Sequence, residues 1–114
     1  MAKHHLLAFT NPVAGREEEF NRWYDERHVP DLLAVPGFVS AQRFALKDAT
    51  GQDRAGWSYL ALYELETDDP DTLMAEVRSR LGTEAMPVSD TLDSATAGGL
   101  IATAITARLL AKPE

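Results

Sequence analysis

The segment Trp57–Glu66, WSYLALYELE, limits the possible folds of this chain most tightly, because it reads as a strand with apolar bulk on both faces. Side chains alternate across a strand, so Trp57, Tyr59, Ala61, Tyr63 and Leu65 point one way, while Leu60 and Leu62 share the other side with Ser58 and Glu64. A sheet built around this strand must be covered twice.

The rest of the chain supplies material for only one of those covers. Lys3 to Thr10 reads as a first strand, stopped by Thr10-Asn11-Pro12, and Val39 to Leu46 as a second, joined to the third by the polar loop KDATGQDRAG. A first helix is expected from near Gly15, where Glu17, Glu18 and Glu19 suit the positive end of the helix dipole. Pro30 disfavours helical geometry at Val29 and is expected to break that helix, with a short turn through Leu33 able to follow. Asp69 and Pro70 mark the start of a second helix, which carries Leu73, Met74, Val77 and Leu81 at helical spacing and stops at Gly82. Leu100 to Leu110 reads as a fourth strand.

The order β-α-β-β-α-β predicts an α+β, ferredoxin-like protomer, a four-stranded antiparallel sheet with two helices on one face. All 114 residues form one domain on this reading. The uncovered sheet face then calls for a second copy of the chain, and a homodimer packed sheet on sheet is the economical answer. The segment 83–97 has no periodicity and is long for a loop in a compact domain. An arm to the dimer mate, a flap over a cleft and a disordered stretch all fit it.

Composition excludes several functions. The net charge of −7 and pI near 4.9 argue against partners that are nucleic acid or anionic membrane. With no cysteine there is no disulfide, thiolate metal site or cysteine nucleophile. The N-terminal apolar run is too short for a signal peptide or a membrane span, so a cytoplasmic location is expected. No phosphate loop, nucleophile elbow or dinucleotide fingerprint is present, and no nucleotide cofactor is expected.

The candidate chemistry lies in FNRWYDERHVPDLLAVPGF, Phe20 to Phe38. At 100° per residue, Phe20, Trp23, Tyr24, Arg27 and, at the edge, His28 share a face. Tyr24 and His28, four apart, are neighbours that can hold a carbonyl oxygen and move a proton near neutral pH. The same pair would serve equally as amphipathic packing residues with polar tips. Asp31 stands near enough in sequence to orient His28. Arg43 shares a face with Val39, Ala41 and Ala45, where it either meets an acidic ligand or pairs with an acid such as Glu64, the second being the simpler expectation. Trp57, Tyr59 and Tyr63 form a row that suits core, interface or the wall of a pocket. Ser89-Asp90 and Asp93 suit the cap of a short helix. His4 and His5 point to opposite faces and cannot form a metal pair, although one of them could join His28. Three histidines without fixed spacing give no metal motif, so no metal is expected.

NPVAGREEEFNRWYDERHVPDLLAVPGF, followed by VSAQRFAL and MPVSDTLD, resembles the dimeric α/β-barrel superfamily, in particular its EthD-like branch. The resemblance covers nearly the whole chain and implies a ferredoxin-like protomer, a dimer whose sheets close into a barrel, and a pocket between sheet and helices in each subunit. The pattern Trp-Tyr-Asp-x-x-His recurs in that branch and falls here on Trp23, Tyr24, Asp25 and His28. Functions across the superfamily range from cofactor-independent monooxygenases and polyketide cyclases to isomerases, dehydratases and haem enzymes, so the fold does not choose a reaction.

The expectation is a small enzyme without metal or nucleotide, of lyase, isomerase or cyclase type, acting on a hydrophobic aromatic or carbonyl-bearing metabolite. His28 would be the general acid/base and Tyr24 a donor to the substrate oxygen. Asn11 or Arg43 would position the substrate, and Phe20 and Trp23 would wall the pocket. A non-catalytic carrier using the same pocket, and a cofactor-free or haem-linked oxygenase, are the rival expectations.

Overall fold

The computed structural model describes residues 1–54 and 56–113. Strands β1 (Lys3–Thr10), β2 (Phe38–Ala45), β3 (Tyr59–Glu66) and β4 (Gly98–Ala102) form one sheet in the order β2-β3-β1-β4, with every neighbouring pair antiparallel. Helices α1 (Glu17–Trp23), α2 (Val29–Leu33) and α3 (Pro70–Arg80) complete the βαββαβ order. This is the α+β, ferredoxin-like arrangement expected from the strand patterns.

Helix α3 forms as its sequence dictates. Asp69 caps it by accepting from the Thr72 amide at 3.1 Å, and Leu73 and Val77 face the core. Gly37, which precedes β2, takes φ +108, and a Cβ there would sit 3.1 Å from the Leu73 side chain. Only glycine lets this turn tuck under α3.

The first helix does not break at Pro30. A π-helical turn, Tyr24–His28, joins α1 to α2, and the Val29 amide bonds back to the Tyr24 carbonyl. The wider turn delivers Pro30 to the start of α2, where a residue without an amide hydrogen costs little. His28 therefore lies inside a continuous helical rod rather than at its end.

Strand four also differs from expectation. It spans Gly98–Ala102 instead of Leu100 to Leu110, because pairing with β1 ends at His5–Ala102, close to where β1 itself begins. In β2 a bulge between Phe38 and Ser40 puts Phe38, in place of Val39, on the helix-facing side with Ala41, Arg43 and Ala45. Glu64 pairs with Ser40 on the opposite face, so it cannot meet Arg43.

The segment 83–97 packs on its own subunit. The Val13 amide bonds the Thr91 carbonyl at 2.7 Å, the Asp93 amide bonds the Asn11 carbonyl at 3.0 Å, and Met86 is fully buried. No short helix forms there: Ser89 Oγ accepts from the Thr91 amide, and Asp90 pairs with Arg16 at 3.0 Å.

The core lies between the helices and one sheet face, where Phe20, Tyr24, Leu32, Leu73 and Val77 meet Ala61, Tyr63 and Leu65. The other face carries Leu7, Phe9, Leu60 and Leu62, with Phe44 and Leu100 exposed at its sides. Trp57, just before β3, folds over Phe9 on this face, with ring centroids 4.8 Å apart, instead of joining Tyr59 and Tyr63 on the other, and no helix of the described chain covers the rest.

Candidate functional site

Tyr24 and His28 meet at one end of a cleft of about 520 Å³ between the sheet and α3. Leu6 and Ala8 of β1 and Gly98 and Gly99 of β4 form its floor, Met74, Val77 and Leu81 one wall, and Val88 and Leu92 of the long connection another. The size suits a small organic ligand. Apart from Arg78 at α3, polar groups enter only where Thr10, Tyr24 and His28 converge. A second hollow of about 380 Å³, between Pro36 and the α3 residues Thr72, Glu76 and Arg80, contains none of the buried unpaired polar atoms found near the cleft.

The π-helical turn builds this end of the cleft. An α-helical step would bring Tyr24 beside His28, and the π step of five residues adds Trp23. His28 stacks on Trp23 with centroids 4.7 Å apart and meets the Tyr24 ring edge-on at 4.9 Å. Its Nδ1 is buried without a hydrogen-bond partner, as is Trp23 Nε1. Burial pushes the His28 imidazole down to about 4, against the charge of Asp31, and Arg43 adds a smaller push the same way. His28 is therefore neutral at pH 7.

This depression couples stability to pH. The unfolded histidine keeps its ordinary value of 6.5, so below that pH the unfolded chain takes up the proton that the folded chain refuses. Between pH 6.5 and about 4 the fold should lose about 2–3 kcal/mol through His28 alone. Urea unfolding at pH 7 and pH 4.5 should show this loss, and His28→Phe should be much flatter across the same window.

Two further hydroxyls stand behind Tyr24. Thr10 Oγ1 and Tyr63 OH are both buried without a partner, and each neighbours the Tyr24 hydroxyl without forming a well-directed hydrogen bond. Burial raises both tyrosines, so both phenols stay protonated. An unsatisfied buried hydroxyl costs about 1–3 kcal/mol, so Tyr63→Phe should raise stability by about 1 kcal/mol or leave it unchanged. A melting curve checks this, and a clear loss of stability would mean that the Tyr63 hydroxyl is already paired.

The other expected site residues lie outside the cleft. Phe20 is fully buried behind Tyr24, with ring centroids 5.5 Å apart. Arg43 lies on the far side of Tyr24, its guanidinium 4.4 Å from the ring centroid, and bonds Asp25 and Asn21 Oδ1 at 2.8 Å each. Asn11 is occupied by Gly56 O, Thr96 Oγ1 and the Ser58 amide, so it ties three connections together. Asp31 accepts from Arg27 at 2.7 Å, and Arg27 also bonds the Glu84 carbonyl. His4 meets Thr103 Oγ1 at 2.7 Å and His5 lies on the opposite sheet face, so neither lines the cleft. Of the expected set, the structure brings Trp23, Tyr24 and His28 together. Thr10 joins them unforeseen, with only the alternation Leu6, Ala8, Thr10 to hint at it, and Tyr63, expected in an aromatic row of core, interface or pocket wall, stands in the core behind Tyr24.

No helix among the described residues is long and apolar enough to cross a membrane. Neither a protein-family model nor a curated protein matches the chain. Among solved structures it is similar to a putative monooxygenase from Shewanella loihica PV-4, with a TM-score of 0.63, 16% identity, and 93% of this chain and 97% of that one covered. It is also similar to an EthD family protein from Bacillus halodurans, with a TM-score of 0.56, 14% identity, and 92% and 100% covered. At such identities the likeness shows the fold alone, and the chain shares the ferredoxin-like protomer fold of these two proteins.

Proposed function

We propose that this protein is a small cytoplasmic enzyme that uses its own side chains for acid–base chemistry on a hydrophobic, carbonyl-bearing metabolite, and that it works as a homodimer joined through the outer sheet face. The observation that carries the reading is the convergence of Tyr24, His28 and Thr10 at one end of an otherwise largely apolar cleft. An apolar body fills such a cleft, and its one polar group is drawn to the hydroxyls.

Tyr24, held protonated by burial, donates to the substrate oxygen. Neutral His28 takes a proton from the neighbouring carbon: the C–H bond breaks, an N–H bond forms, and the electron pair moves onto the oxygen that Tyr24 holds. Burial makes His28 by itself a weak base, with its value lowered to about 4. The negative charge growing on the substrate oxygen, a few ångströms away and shielded from water, lifts it as the proton moves. Returning the proton to a different carbon gives an isomerase, and expelling a leaving group gives a lyase.

The low basicity of His28 favours a second reading, a carrier that uses the same cleft to bind without reaction. A panel of lipophilic ketones, lactones and quinones, followed by mass spectrometry, separates the two. Conversion of a bound compound supports the enzyme. Saturable binding without conversion, insensitive to titration of His28, supports the carrier.

A further inference from the structure

The two glycines that open β4 have different causes. At Gly98 a Cβ would stand 3.3 Å from the Trp57 ring, which folds over the outer sheet face, so packing excludes a side chain there. Gly99 points the other way. A Cβ on it would meet nothing nearer than a Leu6 methyl at 3.9 Å, and its backbone is outside the left-handed region that favours glycine. Its pairing with β1 runs unbroken, so no bulge calls for it either. Glycine weakens a strand, and where neither backbone nor packing requires it, the remaining cause is close approach by another molecule.

The register shows what the missing side chain leaves open. Partners across an antiparallel pair share a face, so Ala61, Ala8 and Gly99 form one row across β3, β1 and β4 on the side of the helices. The row on one side of it carries Tyr63, Leu6 and Ile101, and the row on the other carries Tyr59 and Thr10. The sheet therefore dips between two rows of larger residues. One end of the dip lies in the core, where Ala61 is 2% exposed, and the other, at Ala8 and Gly99, is the floor of the cleft. Thr10 stands at the rim, 6% exposed, with its Oγ1 unpaired, and lines the same cleft. A buried hydroxyl without a partner beside a hollow in an apolar floor suits a ligand with one oxygen and one wide apolar group. From Thr10, Gly99 lies on the diagonal across the two strands, a separation of about 7–8 Å.

We propose that Gly99 determines the specificity of the cleft, admitting a lipophilic carbonyl compound that carries a ring about 7–8 Å from its oxygen. The proposal rests on the reading that the ligand's oxygen goes to the hydroxyls at the Tyr24 end. With the oxygen there, the ring lies in the dip against the Gly99 backbone and faces the walls formed by Met74 and Leu92. A larger residue at 99 would fill the dip and leave room only for a slim chain.

Calorimetric titration of the full chain with 4-phenylcyclohexanone and 4-pentylcyclohexanone, ketones of similar reach and different width, tests this. Gly99→Val should weaken the phenyl ketone at least about tenfold and the pentyl ketone less than about threefold, since a single methylene in an apolar pocket can be worth tenfold or more. Gly99→Ala should show the same selectivity in smaller measure. Leu100→Val, on the outer face of the same strand, should leave both affinities alone. The melting temperature of Gly99→Val should hold or rise, because valine suits a strand. A fall would mean that the strand itself requires glycine, and it would overturn the proposal. Equal loss of both ketones, or loss of neither, overturns it too. Tyr24→Phe should weaken both ketones alike. If it weakens neither while Gly99→Val still separates them, the oxygen site is overturned and the role of Gly99 stands. A chain that binds neither ketone overturns both.

Discussion

Replacing Phe20 with alanine should remove about 3–5 kcal/mol of stability, lowering the melting temperature by roughly 15 °C or more. Phe20 is fully buried, with its ring centroid 5.5 Å from Tyr24, 5.7 Å from Tyr59 and 6.2 Å from Trp23, and the Arg43 guanidinium lies 5.8 Å above it. Truncation removes the transfer energy of the ring and leaves a cavity that neighbouring rings can close only by turning away from their positions. Tyr24 is one of those rings, so the damage should reach the cleft as well as the core. Chemical denaturation of the two proteins measures the cost. A loss under about 1 kcal/mol would mean that the aromatic cluster is loosely packed.

His28→Ala should lower turnover of a cleft substrate by about 10²–10⁴-fold, the usual contribution of a positioned acid/base, while dimerisation and affinity change little. Tyr24→Phe should preserve the packing of the ring and also cost turnover, because only the hydroxyl is lost. The two variants differ in acid stability: removing His28 flattens the loss below pH 6.5, and removing the Tyr24 hydroxyl leaves that loss in place. Turnover that survives His28→Ala unchanged would take His28 out of the chemistry and leave the carrier.

The fold was legible because its signals are local. The alternation of β3, the cap at Asp69 and the stop at Gly82 each act over a few residues, and together they order the elements. Three features needed packing information that spacing lacks. Pro30 reads as a break, yet a π-helical turn absorbs it, and the stacking of Trp23 on His28 across five residues is visible only once that turn exists. The bulge after Phe38 exchanges Phe38 for Val39 on the inner face of β2, and a simple period of two cannot register it. The fourth strand fails to run on to Leu110 because β1 offers no further partner, although the tail keeps a β-prone composition.

The site was half legible for the same reason. Tyr24 and His28 are four apart on one helix and could be paired from sequence, whereas Thr10 and Tyr63 come from different strands and reach Tyr24 only through the register of the sheet. Arg43 found Asp25 and Asn21 on α1 and the adjoining turn rather than a strand partner, because its face of β2 looks at the helix. Asn11 has the chemistry of a ligand group, yet its amide is consumed in holding the β2–β3 loop and the long connection to the end of β1.

The central claim is that the Tyr24 end of the cleft receives the oxygen of a lipophilic, uncharged ligand. A crystal structure of the protein carrying a compound captured from the panel of ketones, lactones and quinones tests it most directly. The account predicts the ligand's apolar body between Leu6, Met74 and Leu92, its oxygen within hydrogen-bond reach of the Tyr24 hydroxyl, and the His28 ring beside the adjacent carbon. A ligand seated away from Tyr24, for instance in the hollow beside Pro36, with the cleft closed by its own side chains, would contradict it.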